Sequence, residues 1–284
     1  MLKTRAATPL TRTFVIMMLG AAQVWGAATA GAKQTTYYRP KVAPKATAQQ
    51  ASNVAIVNAA SYLPGVSPGG LITIFGNNLT NVQGIVLAGT DPLPNELAGV
   101  EVVINGYHAP IYGVAFYNGE DQISVQVPYE VPVGPGAALV QIYNYGMLVA
   151  SLQQDSFTED PGIFMYNGYY AVAVRYADGS LVGPSNPAYP GDILTVYTTG
   201  LGPLNLNLVD GVGAPYNPLA YTTDPFQVFV NNQECQVLFS GLAPGYVGLY
   251  QLNIVLPSTL PRGDLDMQIV SPYASSGVAT LPVN

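Results

Sequence analysis

The side chains able to do chemistry are few and scattered. His108 is the single histidine of the 284-residue chain and Cys235 its single cysteine. A Ser-His-Asp triad would have to use His108, and no Gly-x-Ser-x-Gly elbow or other nucleophile signature accompanies it. Directly after Asn105-Gly106, it reads as a surface or strand-end side chain. Cys235 lies in the strand-like stretch Glu234-Cys235-Gln236-Val237 and reads as a small buried residue, not a reactive thiol. One His and one Cys cannot assemble a zinc or copper site of ordinary composition. Carboxylates form close pairs near turns, at Glu120-Asp121, Glu159-Asp160 and Asp264-x-Asp266. Calcium prefers such oxygens, but no EF-hand or nonapeptide repeat is present, so these read first as solvated turn carboxylates. A glycosidase would need two of them facing a cleft, which nothing in the spacing selects. The expectation is a non-catalytic protein without cofactor, calcium being the one candidate ion.

Tyrosine is the other chemically useful side chain, at 20 residues, while the only Trp is Trp25 near the N-terminus. Tyrosines gather through the first half and the middle of the chain, and Tyr107, Tyr112, Tyr117 and Tyr169 are the candidate contact surface. A stiff, large, polar-tipped side chain suits interfaces and sugar stacking. Cross-strand packing on β-faces uses it equally well.

The N-terminus positions the rest outside the cytoplasm. Lys3, Arg5 and Arg12 precede a short apolar run, Phe14 to Ala22, and Ala28-Thr29-Ala30 offers a small-residue cleavage site. That is the layout of a secretory signal peptide over residues 1–30, and the run is too short for a lasting membrane span. Residues 31–52 are polar and Pro-containing, and read as a basic extended arm carrying Lys33, Arg39, Lys41 and Lys45. Beyond Lys45 only Arg175 and Arg262 are basic, against 16 Asp+Glu, giving 2 − 16 = −14. Such a body repels nucleic acid and anionic lipid. It attracts cations, basic partners or the basic arm of another copy.

The body alternates short Val/Ile/Leu/Tyr/Phe runs with Gly, Pro and Asn. Leu71–Phe75, Val100–Ile104, Gln122–Val127 and Leu139–Tyr143 are examples, followed by Ile193–Tyr197, Phe226–Val230, Tyr250–Val255 and Met267–Val270. Period-two runs bounded by turn formers predict antiparallel strands. Asn105-Gly106 and Asp178-Gly179 suit hairpin turns that need positive φ. The chain also repeats: Pro68–Phe75 aligns with Pro190–Tyr197, Val100–Gly106 with Phe226–Asn232, and Asp121–Pro128 with Tyr250–Pro257. An all-β fold of two tandem immunoglobulin-like sandwiches follows, over residues 53–157 and 158–284, with the arm in front.

These motifs carry a resemblance. Asn58–Tyr62, Pro68–Leu79, Pro92–Pro94, Pro161–Phe164, Asp178–Ser180, Asn186–Ala188, Thr199–Pro203, Gly241–Gly245 and Val247–Gln251 resemble the Solibacter-type C-terminal domain of acidobacterial exported proteins. Each half also resembles the TIG/IPT immunoglobulin-like domains of cell-surface and extracellular proteins. The resemblance covers about residues 54–283 and implies fold and location, but no catalytic residue. Family members often carry this region behind a large domain, whereas here only the arm precedes it, which favours a building block or adhesin.

Two functions are therefore expected to compete. The first is an extracellular structural subunit that polymerises with copies of itself into a filament, sheath or surface layer. Its arm, through Tyr37, Tyr38, Arg39, Lys41, Val42 and Lys45, would add a strand to a neighbour's sheet edge. The second is an adhesion or binding module for surface polysaccharide or protein, using loops or a tyrosine face.

Overall fold

The computed structural model describes residues 50–284. The leader 1–30, and the arm residues Tyr37, Tyr38, Arg39, Lys41, Val42 and Lys45, lie outside the described residues. Among the described residues there is no helix, and no element long and apolar enough to cross a membrane as one.

The first sandwich is built from β1 (Ser52–Asn58), β2 (Leu71–Asn77), β3 (Gly84–Leu87), β4 (Glu96–Leu97) and β5 (Val100–Ile104). It is completed by β6 (Tyr107–His108), β7 (Ile111–Tyr117), β8 (Glu120–Gln126), β9 (Gly134–Asn144) and β10 (Met147–Ser156). One sheet has the order β1-β2-β8-β7-β3; the other has β10-β9-β5-β4, with β6 beside β5. All pairs are antiparallel, and the two layers are those of an immunoglobulin-like sandwich. Its core follows from alternation. Ile72, Ile74, Ile123 and Val125 of one sheet face Val100, Val102, Ile104, Val140 and Ile142 of the other, all buried. Each such side chain contributes roughly 1.5–3 kcal/mol by leaving water.

The second sandwich contains β11 (Gly162–Ile163), β12 (Met165–Tyr166), β13 (Tyr170–Ala171), β14 (Ala173–Arg175) and β15 (Ile193–Thr199). Then follow β16 (Gln227–Val230), β17 (Gln233–Leu242), β18 (Tyr250–Val255), β19 (Gly263–Val270) and β20 (Ala279–Val283). Here the layers are joined into one path, β11-β15-β18-β17-β16-β19-β20-β13-β12, because β17 belongs to both. Its first part pairs with β16 and its second with β18. Between Val237 and Phe239 the register shifts, leaving Leu238 as an extra, exposed residue. A bulge of that kind bends a strand enough to turn a sheet corner. β10 ends at Ser156 and β11 begins at Gly162, so a short linker, residues 157–161, joins the two bodies.

The repeated segments occupy matching places. Leu71–Phe75 forms β2 and Ile193–Tyr197 forms β15, each paired with its own copy of the third repeat, β8 or β18. At the β5–β6 turn both Asn105 (φ 52°) and Gly106 (φ 87°) take the left-handed conformation that a two-residue hairpin requires.

Candidate functional site

Two regions of the first sandwich meet something other than its own core: the seam with the second sandwich, and the free side of β10.

The seam begins with a bulge. Along β7, Ile111 pairs with Val125 and Gly113 with Ser124, leaving Tyr112 without an opposite residue. The bulge re-aims its ring towards the second sandwich. The Tyr112 hydroxyl donates to the Val247 carbonyl at 2.6 Å and accepts from the Val247 N–H at 3.1 Å. Only 8% of Tyr112 is exposed. Burial raises its hydroxyl well above the ordinary tyrosine range, so it stays protonated and able to donate.

Around this pin the two bodies exchange further bonds. The Thr199 hydroxyl accepts from the Leu71 N–H at 2.8 Å and donates to the Gly248 carbonyl at 3.0 Å. The Gly211 N–H donates to Gln126 Oε1 at 2.7 Å, and the Leu93 N–H to the Gly211 carbonyl at 2.8 Å. Gly248 sits at φ +60°, and a Cβ there would come within 2.9 Å of the Gly69 carbonyl oxygen, so the close approach selects glycine. Leu71, Leu93, Tyr112 and Ala115 of the first body pack with Phe164, Val172, Val247 and Leu249 of the second as one buried apolar cluster. The linker is fastened too. Asn58 Nδ2 donates to the Asp160 carbonyl at 2.7 Å and to its carboxylate at 3.1 Å.

Charge is unusual at the seam's rim. Asp210 Oδ1 accepts from the Tyr129 N–H at 3.0 Å, while Glu130 faces the same carboxyl. Burial, and then the Glu130 charge, push Asp210 up to about 6 against the pull of the Tyr129 bond. Burial also raises Asp160, partly offset by Asn58.

The free side of β10 is the second region. This strand of 10 residues, Met147–Ser156, ends its sheet and contains no Lys, Arg or Pro. Its partner β9 turns Leu139 away from it, since the Leu139 carbonyl accepts from the Asn105 N–H on the opposite side at 3.0 Å. Gln153 pairs with Leu139 and Ser151 with Gln141. Antiparallel alternation therefore aims the N–H and C=O of both Ser151 and Gln153 outward. At the two ends of this stretch the outward groups are taken. The Val149 carbonyl accepts from the Ala51 N–H at 3.0 Å and from the Gln50 side-chain amide. The Asp155 carbonyl accepts from the Val66 N–H at 3.1 Å. Between them, among the described residues, nothing pairs with Ser151 or Gln153. The chain thus enters the first sandwich, at Gln50 and Ala51, directly on the β10 edge.

The four candidate contact tyrosines are not one surface. Tyr107 lies exposed (45%) on β6, in the sheet that carries β10. Tyr117 is half-buried at the end of β7, in the other sheet. Tyr169 is exposed (51%) in the β12–β13 turn of the second sandwich. Tyr112 is a correction, because its bulge turns it into the seam and takes it off the surface. Sequence alternation alone gives no sign of that register shift. Tyr169 instead gathers Tyr170, with ring centroids 4.3 Å apart, and Tyr166 lies 5.5 Å from Tyr170. The Tyr170 hydroxyl donates to Asp264 at 3.3 Å.

The remaining sequence candidates fall into ordinary places. His108 is a surface side chain, 3.8 Å from Glu101. Cys235 is buried in the second core, and burial pushes its thiol up to about 12, so it holds little thiolate. Asp121 accepts from the Leu79 N–H at 2.8 Å and the Thr80 hydroxyl at 3.1 Å, organising the turn after β2. Among the described residues no group of three or more His, Cys, Asp or Glu is placed to hold a metal.

No protein-family model matches the sequence, and no curated protein matches it. Solved structures with a similar arrangement include the Bacteroides ovatus mixed-linkage glucan utilization locus protein SGBP-B in complex with a mixed-linkage heptasaccharide. The identity is 11% and the TM-score 0.32, covering 78% of this chain and 43% of that one. A tandem from titin follows at 13% identity and TM-score 0.21, covering 81% and 65%. The Yersinia pseudotuberculosis adhesin InvE is 9% identical at TM-score 0.22, covering 81% and 58%. The chain spans less than two thirds of the length of each. These are distant likenesses and carry no argument about function.

Proposed function

We propose that this is an exported, non-catalytic structural protein of the cell surface that assembles with copies of itself, the basic arm of one copy adding a strand to the β10 edge of the next. The observation that carries this reading is the edge itself: a strand of 10 residues without Lys, Arg or Pro, with outward Ser151 and Gln153, at which the chain's own entry at Gln50 and Ala51 already bonds. An extended segment docking there would gain backbone hydrogen bonds and complete the row. Tyr37, Tyr38 and Val42 supply side chains for the sheet face, and Arg39, Lys41 and Lys45 are attracted by an acidic body. A head-to-tail contact of this kind propagates as a polymer. Export rests on the leader of residues 1–30 and on the resemblance to the Solibacter-type family of exported proteins. Ser151→Pro tests the reading, since it removes an outward donor at a sheet edge, where proline is tolerated. Residues 31–284 carrying Ser151→Pro should elute as a monomer and show no filaments by negative-stain electron microscopy under conditions that polymerise the unsubstituted protein. Equal assembly by both would overturn it.

A second reading is supported by the Tyr169–Tyr170 pair beside Asp264. One exposed ring, Tyr169, backed by the buried Tyr170 that bonds Asp264, suits a carbohydrate-binding or adhesion module. Retention on immobilised polysaccharide in affinity electrophoresis, lost in Tyr169→Ala, is the result that reading expects.

A further inference from the structure

The two sandwiches end on equivalent strands, β10 and β20, and treat the outer edge of that strand differently. The repeat that aligns Pro68 with Pro190 sets Val66 against Ala188. Each plays the same part in its own sandwich. The Val66 N–H donates to the Asp155 carbonyl at 3.1 Å, and its carbonyl accepts from the Phe157 N–H at 2.8 Å. The Ala188 N–H donates to the Pro282 carbonyl at 2.9 Å, and its carbonyl accepts from the Asn284 N–H at 2.8 Å. Both are parallel bridges. Asp155 thus matches Pro282, and two residues back Gln153 matches Thr280. At Thr280 the edge is filled. Tyr170 pairs with it in parallel, and the Thr280 N–H donates to the Tyr169 carbonyl at 2.7 Å. At Gln153, among the described residues, nothing pairs, and Ser151 and Gln153 are exposed where Thr280 is half-buried.

The gap has fixed ends. Ala51 bonds Val149 at one and Val66 bonds Asp155 at the other, so the open row runs through residues 150–154, roughly 20 Å from bond to bond. The segment that fills the matching place on β20 is a Tyr-Tyr dipeptide, and the chain's one other Tyr-Tyr dipeptide is Tyr37-Tyr38 in the arm. In the register that Tyr170 keeps with Thr280, Tyr38 lies beside Gln153. The N–H groups of Tyr37 and Arg39 then meet the carbonyls of Ser151 and Gln153, and Pro40, of opposite parity, needs no N–H on that side. With the same pair run the other way, Pro40 would face Ser151 and leave its carbonyl without a donor. The bonds of Ala51 and Val66 also show that the chain passes β10 in the strand's own direction, entering from the Met147 end. A chain's own arm would have to double back to lie parallel in its gap, whereas the arm of a second copy need not.

We propose that Tyr37-Tyr38 of one copy occupies the β10 gap of the next in the place and direction that Tyr169-Tyr170 takes on β20, parallel to the strand and with Tyr38 beside Gln153. This inference rests on the assembly reading and adds to it the seat, the direction and the register. The seat is short. Arg39, Lys41 and Lys45 supply attraction to the acidic body, and the backbone bonds around the Tyr-Tyr pair supply the fit.

The test uses residues 31–284 with single cysteine substitutions in separate preparations, the buried Cys235 staying out of reach in the native protein. In the parallel seat Thr36 lies beside Ser151, and Lys41 lies roughly 16 Å further along. Thr36→Cys mixed with Ser151→Cys under polymerising conditions should give, with a short bismaleimide, about tenfold more covalent dimer than Lys41→Cys mixed with Ser151→Cys. The reverse ratio, or filaments without a crosslink from either mixture, would overturn the parallel seat and leave the assembly reading standing. A crosslink formed only within single chains that carry both Thr36→Cys and Ser151→Cys would overturn the exchange between copies, and the assembly reading with it, while keeping the register. Monomers without any crosslink would overturn both.

Discussion

The first sandwich finishes its two boundaries in opposite ways. Towards the second sandwich, small residues, a bulged tyrosine and matched backbone groups close a seam in which Tyr112, Thr199 and Gln126 each bond across the gap. Along β10, the same fold leaves Ser151 and Gln153 with outward donors and acceptors and without the lysines that usually guard an edge. The contrast separates two jobs. The seam ties the two sandwiches together by hydrogen bonds and a shared apolar cluster, and the edge is where the proposed assembly would join one copy to the next.

The seam should give the largest effects. Tyr112→Ala removes a buried ring together with both bonds to Val247, and should cost about 3–5 kcal/mol. Calorimetry should then resolve two unfolding transitions in place of one, because the sandwiches share fewer contacts. Tyr112→Phe keeps the ring but strands the N–H and C=O of Val247, at about 1–3 kcal/mol. A single unchanged transition in both variants would show that the seam does not couple the domains.

A smaller effect is expected from pH. Asp210 stands near 6 in the folded protein, against about 3.9 in an unfolded chain. The folded state therefore holds this proton more tightly. The stability linked to it is fully present below about pH 4 and is lost as pH rises through about 6. Asp160 is raised as well and acts in the same direction. The thermal midpoint should thus gain from Asp210 on going from pH 7.5 to 5, and Asp210→Asn, which keeps an acceptor for Tyr129, should flatten that part of the profile. A profile unchanged by Asp210→Asn would remove the rim carboxylate from the account.

The edge should behave differently from the seam in the same assay. Ser151→Pro should shift stability by less than about 1 kcal/mol, since surface changes away from caps and cores rarely exceed that. A loss as large as that of Tyr112→Ala would mean that β10 is internally committed and is no free edge. The smallest effect belongs to Cys235. Its thiol should resist aqueous disulfide reagents at pH 8 in the native protein and react on unfolding, which makes it a probe of whether the second core opens when the seam is cut.

Much of this fold could be read from the sequence because strands carry a period-two signature and turns carry Asn and Gly. Leu71–Phe75 and Ile193–Tyr197 became β2 and β15, and Asn105-Gly106 became a hairpin turn with both residues at positive φ. What escaped depends on register and long-range approach. The bulge at Tyr112 reverses one side chain without altering the local pattern, so a residue that reads as surface becomes the pin of the seam. The strand-like run at Gln233–Leu242 does not reveal that a bulge at Leu238 carries it from one layer to the other. Glu159 pairs by sequence with Asp160, yet in the fold Asp160 turns to Asn58 while Glu159 meets Ser271, 112 positions along the chain. The β10 edge was equally hidden, because an unpaired strand side is a property of sheet order.

The most direct test of the central claim compares residues 31–284 with residues 50–284 by size exclusion and negative-stain electron microscopy over a range of concentration and salt. The account predicts polymers only when the arm is present, weakening as salt screens the attraction between basic arm and acidic body. Monomers from both proteins, or polymers that persist without the arm, would contradict it.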